Sequence, residues 1–77
     1  MKTLTIDELE VKLTNILNTI TNGTYTITQN ENKDCCHVVI YDNAKVGVFA
    51  GLYPINHRNN EKALLRLEET IQLINKI

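Results

Sequence analysis

The sequence lacks most of the features that mark a particular chemistry. Its 77 residues contain no tryptophan and only two cysteines, two histidines, three glycines and one proline. The cysteines, Cys35 and Cys36, are adjacent, and no secretory signal precedes them, so reduced thiols are expected instead of a disulfide framework. There is no phosphate-binding glycine loop and no nucleophile motif. The sequence therefore predicts no cofactor and no catalytic residues.

Charge and long apolar runs are also scarce. Eight basic and nine acidic residues give a net charge of −1, whereas broad contact with phosphates needs clustered lysines and arginines. Nucleic acid is therefore disfavoured as a partner. The longest apolar run falls well below the roughly 18 residues that cross a bilayer, and the N-terminus is typical of a capped helix. We expect a soluble cytoplasmic protein without membrane contact, folded as a single domain over residues 1–77.

The first helix is predicted from its start signal. Thr5-Ile6-Asp7-Glu8 is a capping box, so the helix is expected to begin at Thr5, with Leu4 packing on Leu9. Asn22-Gly23 is expected to end it, with Gly23 in the left-handed conformation. Apolar residues recur every three or four positions and predict one buried face. That face comprises Ile6, Leu9, Leu13, Ile16, Leu17 and Ile20.

A second helix is predicted from Glu61 onward, with Asn59 or Asn60 as its N-cap. Its apolar stripe comprises Leu64, Leu67, Ile71 and Ile74, widened by Leu65, Leu73 and Ile77. Between the helices, residues 24–29 alternate as a half-buried strand, with Tyr25 and Ile27 facing inward. The densest apolar run, residues 35–53, is predicted to be a β-hairpin with its turn at Asp42-Asn43 and with Pro54 ending its second strand.

The hairpin is apolar on both faces. The face assigned to the core carries Cys36, Val38, Ile40, Val46, Val48, Ala50 and Leu52. The opposite face carries His37, Val39, Tyr41, Phe49 and Tyr53. Gly47 and Gly51 are interpreted as places where a neighbouring element approaches the sheet, or alternatively as a bulge.

The order helix, three strands, helix (αβββα) predicts the α+β class. Its simplest arrangement is a three-stranded antiparallel meander with both helices packed on one sheet face. Helices on opposite faces are the alternative, and they would bury the face that bears His37, Tyr41 and Phe49.

Metal binding and nucleophilic catalysis are not expected. The candidate ligands are Cys35, Cys36, His37 and His57. Adjacent strand residues point to opposite faces, so at most Cys35 and His37 can converge with His57, and a zinc site would lack a ligand. A Cys–His pair would lack an identifiable third group and oxyanion donors. We therefore expect a protein that is not an enzyme.

The second apolar face predicts a protein interface. Its residues are His37, Val39, Tyr41, Phe49 and Tyr53, with Tyr41 and Phe49 as anchors. The expected partner is a second copy, giving a homodimer, or a larger host protein. One alternative is a stacking platform for single-stranded nucleic acid, although Lys45 and Arg58 are the only cations in residues 35–60. A purely structural homodimer is the other alternative.

A short chain rich in Asn, Thr, Ile and Lys, with this order of elements and no active site, resembles small proteins encoded by phages and mobile elements of low-GC bacteria. Certain anti-CRISPR proteins are similar in layout. The resemblance covers the whole chain as an order of elements, and it implies inhibition of a host defence enzyme by stoichiometric binding. The strongly acidic surface of DNA-mimicking members is missing here, so mimicry of DNA is not expected.

Overall fold

The computed structural model describes residues 5–55 and 60–76. Helix α1 spans Ile6–Leu17, strands β1, β2 and β3 span Gly23–Gln29, Cys35–Asp42 and Gly47–Pro54, and helix α2 spans Asn60–Asn75. The strands form one antiparallel sheet in the order β1-β2-β3. Both helices pack on one face of this sheet and on each other. The predicted αβββα fold is confirmed. Within the described part of the chain, neither helix has the length and apolar character needed to span a bilayer.

Helix α1 begins as its sequence predicts. The Glu8 amide donates to Thr5 Oγ1 (3.2 Å), and the Thr5 amide donates to Glu8 Oε1 (3.4 Å), so both halves of the capping box are formed. The expected contact between Leu4 and Leu9 lies outside the described residues. Helix α2 begins at Asn60. The alternative N-cap, Asn59, lies outside the described residues.

The predicted end of α1 is wrong. The helix stops at Leu17, five residues before Asn22-Gly23, and its C-cap Asn18 is right-handed. Thr19 explains the stop, because its amide and its hydroxyl both bond to the Ile16 carbonyl, at 3.1 and 2.7 Å, in a tightened last turn. No described glycine has a positive φ, and Gly23 instead begins β1. A Cβ at Gly23 would collide with the Tyr41 carbonyl oxygen, so glycine is required there for close approach.

The chain between α1 and β1 is held to the end of α2 by asparagine side chains. Asn75 Oδ1 accepts from the Thr21 amide (2.8 Å), and Asn75 Nδ2 donates to the Thr19 carbonyl (2.9 Å). Asn22 Nδ2 donates to the Asn75 carbonyl at 2.9 Å. Because these bonds join segments more than fifty residues apart, they fix the position of α2 relative to the first edge of the sheet.

The hairpin turn is longer than a tight Asp-Asn turn. The Asp42 amide donates to the Val46 carbonyl (3.0 Å), which leaves a three-residue loop. Asp42 Oδ1 accepts from the amides of Ala44 and Val46, both at 2.9 Å. Lys45, the last loop residue, has a φ of 64°. Three-residue hairpin loops commonly end with such a left-handed residue.

A bulge follows this turn and changes the register. Tyr41 pairs with Gly47, but Ile40 pairs with Phe49, so Val48 has no partner on β2. One extra residue in a strand moves every later side chain to the other face of the sheet. The bulge, which was the alternative interpretation of Gly47, is present, and it reverses the face assignment of β3. The preferred interpretation of Gly47 is wrong, because an added Cβ there would meet no described atom within 4 Å.

The core confirms the predicted faces of α1, β1 and β2 but not that of β3. Fully or almost fully buried are Leu9, Leu13, Leu17, Cys36, Val38, Ile40, Tyr53, Leu67, Ile71 and Ile74. Ile6, Ile16, Ile20, Tyr25, Ile27, Phe49 and Leu64 pack against them as partly buried residues. Predicted core residues that are exposed are Val46, Val48, Ala50, Leu52, Leu65 and Leu73. The last two lie on the solvent side of α2, so its stripe is narrower than predicted. Ile77 lies outside the described residues.

Candidate functional site

The sheet face opposite the helices is the candidate site, and we call it the free face. Residues directly opposite each other in an antiparallel sheet share a face, so the register defines its rows. The free face consists of Thr24, Thr26, Thr28, Cys35, His37, Val39, Tyr41, Gly47, Ala50, Leu52 and Pro54. One row joins Thr28, His37 and Leu52 across the three strands, and the next joins Thr26, Val39 and Ala50.

The structure divides the five predicted interface residues between the two faces. His37, Val39 and Tyr41 lie on the free face, as predicted. Phe49 and Tyr53 do not, because they pair with Ile40 and Cys36, whose side chains point into the core. Tyr53 is only 5% exposed, and Phe49 packs against the core. Their placement in an exposed interface is therefore wrong.

Gly51 provides the space that these two rings occupy. A Cβ at Gly51 would lie 3.1 Å from Tyr53 Oη and 3.3 Å from Phe49 Cε2. The rings therefore approach the bare backbone of Gly51 on the core face, where it pairs with Val38. The predicted approach of a neighbouring element at Gly51 is wrong, because the groups that come close to it are rings of its own strand.

Leu52 is the main residue of the free face that sequence reasoning assigned wrongly. It is 69% exposed beside His37, its partner on β2. Ala50, beside Val39, is also exposed. The alternation of β3 correctly put Leu52 and Ala50 on one face. A bulge was weighed at Gly47, but its effect on the later residues of β3 was not, and the unpaired Val48 decides which face that is.

The free face carries no lysine, arginine, aspartate or glutamate side chain. None of the three strands contains a lysine or an arginine. Their single acidic residue, Asp42, is bonded to the amides of the hairpin turn. With Phe49 and Tyr53 on the other face, Tyr41 is the free face's only aromatic residue. This composition suits contact with an apolar protein surface better than contact with phosphates and bases.

The cysteines and His37 do not converge into a metal site. Cys36 is buried in the core, whereas Cys35 and His37 lie on the other side of β2 by strand alternation. Over residues 5–55 and 60–76, no three His, Cys, Asp or Glu side chains are placed to hold one ion. His57, the remaining candidate ligand, lies outside these residues.

Burial makes the Cys36 thiol unreactive. Loss of hydration, with smaller contributions from the nearby charge of Glu10 and from Cys35, raises the pKa of Cys36 from 9.0 to about 11. The thiolate is the nucleophilic form of cysteine, and burial disfavours that charged form. Cys36 therefore serves as a small apolar core residue.

We expect alkylation to distinguish the two thiols. With iodoacetamide at pH 8, Cys36 should react about a hundredfold or more slowly in the folded protein than in denaturant, because few of its molecules are thiolate and no solvent reaches it. Cys35, which is only half-buried, should react first. Peptide mass spectrometry over a time course measures both. Equal rates at the two cysteines in the native protein would contradict the burial of Cys36.

A shallow groove of about 450 Å³ lies between the helices, away from the free face. Its lining combines apolar side chains with three charged ones, Lys12, Glu61 and Glu68. It contains no serine, cysteine or histidine that could act as a nucleophile with a base beside it. The groove therefore provides no alternative site of known chemistry.

Comparisons with protein-family models, with curated proteins and with solved structures find no match for this chain. The free face and its composition are therefore the features of the molecule that point to a function.

Proposed function

We propose that this protein is a non-catalytic binding module whose free face attaches to the surface of another protein. The observation that carries the proposal is the exposure of Leu52, 69%, within an uncharged sheet face that no described helix covers. Val39 and Ala50 lie in the next row, and Tyr41 lies beyond them. A contiguous apolar surface of this kind is typical of protein contacts, since burying it removes hydrocarbon from water.

Leu52 and Tyr41 are the proposed anchors. The rigid aromatic ring of Tyr41 can bury a large area with little loss of conformational freedom. Leu52 is 69% exposed, compared with 47% for Val48 on the same strand. The three threonines of β1 and His37 would supply hydrogen bonds at the rim of the contact. Tyr41 keeps the role that the sequence suggested, whereas Leu52 replaces Phe49.

The partner that we propose is a host enzyme, inhibited by stoichiometric binding in the cytoplasm. This part of the proposal depends on the resemblance in layout to phage-encoded inhibitors such as anti-CRISPR proteins. The absence of lysine and arginine from the strands favours a protein surface of the enzyme over its bound nucleic acid. In this mechanism the module covers a working surface of the enzyme and carries out no reaction.

The partner can be captured from host lysate by a pull-down with the wild-type protein. Leu52→Asp is expected to weaken binding to that partner roughly thirtyfold or more, because a charge at a buried anchor is desolvated without a counter-ion. The matched control is Leu73→Asp, a change of the same size at a residue of α2 that is 65% exposed. The control should leave binding unchanged. A titration of each purified variant against the captured partner gives the dissociation constants.

The opposite results are equally informative. Equal binding by both aspartate variants would contradict the free face as the interface. A labelled single-stranded oligonucleotide, titrated at physiological salt, tests the alternative partner. Oligonucleotide binding that weakens with salt and is lost in Leu52→Asp would replace the protein-binding proposal by one of nucleic-acid binding.

A further inference from the structure

The outer edge of β1 is a second exposed feature of the sheet, separate from the free face. The Asn30 amide donates to the Cys35 carbonyl (3.1 Å), which sets the alternation of hydrogen-bonded pairs between β1 and β2. By this alternation Thr24, Thr26 and Thr28 bond to β2. The backbone N–H and C=O groups of Tyr25, Ile27 and Gln29 then point away from β2, along the outer edge of the sheet.

The two edges of the sheet differ in how they are protected. Edge strands are usually made unsuitable for further pairing by proline, bulges or charged side chains. β3 has a bulge at Val48 and a proline, Pro54, at its end. β1 has neither, its register with β2 is continuous over residues 23–29, and its seven residues carry no charge. In residues 5–55 and 60–76, no other strand pairs with its outer edge.

We propose that the outer edge of β1 pairs with the same edge of a second copy, antiparallel and centred on Ile27. A two-fold axis at Ile27 places Ile27 opposite its equivalent and Tyr25 opposite Gln29 of the other copy. Tyr25, Ile27 and Gln29 of each strand then exchange hydrogen bonds with the other copy, whereas Gly23, which also faces outward, lies opposite residue 31 beyond the end of the other strand. The two sheets become one continuous six-stranded sheet, with Thr26 opposite Thr28 of the other copy on the free face.

The position of α1 fits this pairing. Gln29 Nε2 donates to Glu10 Oε2 (3.2 Å), and Tyr25 Oη donates to Asn18 Oδ1 (2.7 Å), so α1 runs alongside β1. It also contacts β2 and therefore lies above the β1–β2 pair. With strands about 4.8 Å apart, the two copies of α1 would lie about 10 Å apart. This is the distance at which helices pack directly, roughly 8–10 Å between axes.

Val11 gives the second copy of α1 an apolar contact. It lies seven residues, or two turns, before Asn18, which bonds to Tyr25 of β1, so the two share one side of α1. Val11 lies on the solvent-facing border of that side, about 160° around the helix from the buried line of Leu9, Leu13 and Leu17. It is 58% exposed among the described residues. Pairing of the two edges would place the other α1 against it. The outer edge of β1 and the exposed side of α1 thus form a surface that can pair with the same surface of a second copy.

This inference goes beyond the proposed function, because it concerns the sheet edge and a different occupant. A dimer formed in this way leaves both free faces open and joins them side by side, so two partner molecules, or one symmetric partner, could be bound together. Failure of the edge pairing would leave the effect of Leu52→Asp on partner binding unchanged. The two proposals can therefore be judged separately.

Charge substitutions on the edge strand test both the pairing and its register. In Thr26→Lys/Thr28→Lys each new lysine faces another lysine across the two-fold axis. The dissociation constant of the dimer is expected to rise about tenfold or more, because like charges face each other. In Thr26→Lys/Thr28→Glu each lysine faces a glutamate, and dimerisation should return to near the wild-type level. Sedimentation equilibrium from about 10 μM to 1 mM covers the range expected for a small interface. Both threonines are exposed, so the variants should fold. Circular dichroism checks that they do.

Amide hydrogen exchange gives a measurement that needs no substitution. In a dimer the amides of Tyr25, Ile27 and Gln29 should exchange at least about tenfold more slowly at 1 mM than at 10 μM. Those of Thr24, Thr26 and Thr28, already bonded to β2, should not depend on concentration. Val11→Asp, which leaves the sheet unaltered, should also weaken the dimer about tenfold, whereas Leu65→Asp, at a residue 57% exposed on α2, should not.

Three results would overturn the proposal. The first is a wild-type protein that stays monomeric at 1 mM with concentration-independent exchange at Ile27. The second is a folded double-lysine variant that dimerises like the wild type. The third is a lysine–glutamate variant that stays monomeric, which would exclude pairing centred on Ile27. If the double-lysine variant fails to fold, the comparison of Val11→Asp with Leu65→Asp decides between the outcomes.

Discussion

Replacing Ile40 or Leu67 by alanine is expected to lower the free energy of unfolding by about 2 to 5 kcal/mol in each case. Both side chains are completely buried, Ile40 on β2, the central strand, and Leu67 in the middle of α2. Each substitution removes apolar atoms from the core and leaves a cavity that the surroundings fill only partly. Because a domain of this size has a small margin of stability, either variant could be largely unfolded at 37 °C.

Matched controls come from exposed residues of the sheet and of α2. Leu52→Ala on the sheet and Leu65→Ala on α2 alter residues that are 69% and 57% exposed, so each should change the free energy of unfolding by less than about 1 kcal/mol. Urea titration followed by circular dichroism measures all four variants. Losses at Leu52 and Leu65 that match those at Ile40 and Leu67 would show that the assignment of buried faces is wrong.

Phe49→Asp is the second substitution with a large expected effect, roughly 3 kcal/mol or more of destabilisation. The ring packs against the core and lies close to Gly51, as the Tyr53 ring does, and Phe49 pairs with Ile40 of β2. Aspartate would remove that apolar contact and place a carboxylate beside buried side chains, with no cation in the strands to pair with it. The expected result is the opposite of that for an exposed interface residue, whose replacement would leave stability unchanged.

Leu52→Asp is the control, three residues further along the same strand. Its side chain lies on the free face, so the melting temperature should change little. Thermal unfolding of both variants therefore tests the bulge at Val48 directly. If Leu52→Asp were the destabilising change and Phe49→Asp the tolerated one, β3 would have the opposite face toward the helices. Neither outcome depends on the identity of a binding partner.

These substitutions also decide which variants can be used to study binding. A charge at Phe49 would reduce binding simply by unfolding the protein, whereas a charge at Leu52 alters the surface of an intact fold. His37, Val39 and Tyr41 remain available for the same purpose, because their register places them on the free face. The correct face of β3 is thus a condition for any mutational analysis of function.

Several elements follow from local sequence. The capping box of Thr5 and Glu8 forms because its donors and acceptors are only three residues apart. The buried face of β2 follows from alternation, with Cys36, Val38 and Ile40 all in the core. By contrast, the end of α1 was misplaced, because Asn22-Gly23 is a common stop signal but the hydroxyl of Thr19 closes the helix earlier.

The candidate site was predicted in part. Three of its five predicted residues lie on the free face, and those three are all on β2, whose alternation has no interruption. The two misplaced residues are both on β3. The prediction assumed that the pairing next to the hairpin turn continues along the strand, which would have put Val48, Ala50 and Leu52 opposite Ile40, Val38 and Cys36.

The sequence by itself determined the order of elements, the start of α1 and the core faces of α1, β1 and β2, because these depend on interactions within a few residues and on periods of 3.6 and 2. Only the tertiary structure decided which face of β3 is buried. Strand alternation states which residues share a face, but it does not say which face meets the helices. That choice depends on the parity of the pairing with β2, and one unpaired residue, Val48, reverses it. The rings of Phe49 and Tyr53 beside Gly51 fill the core on one side, and Leu52 is thereby left on the other.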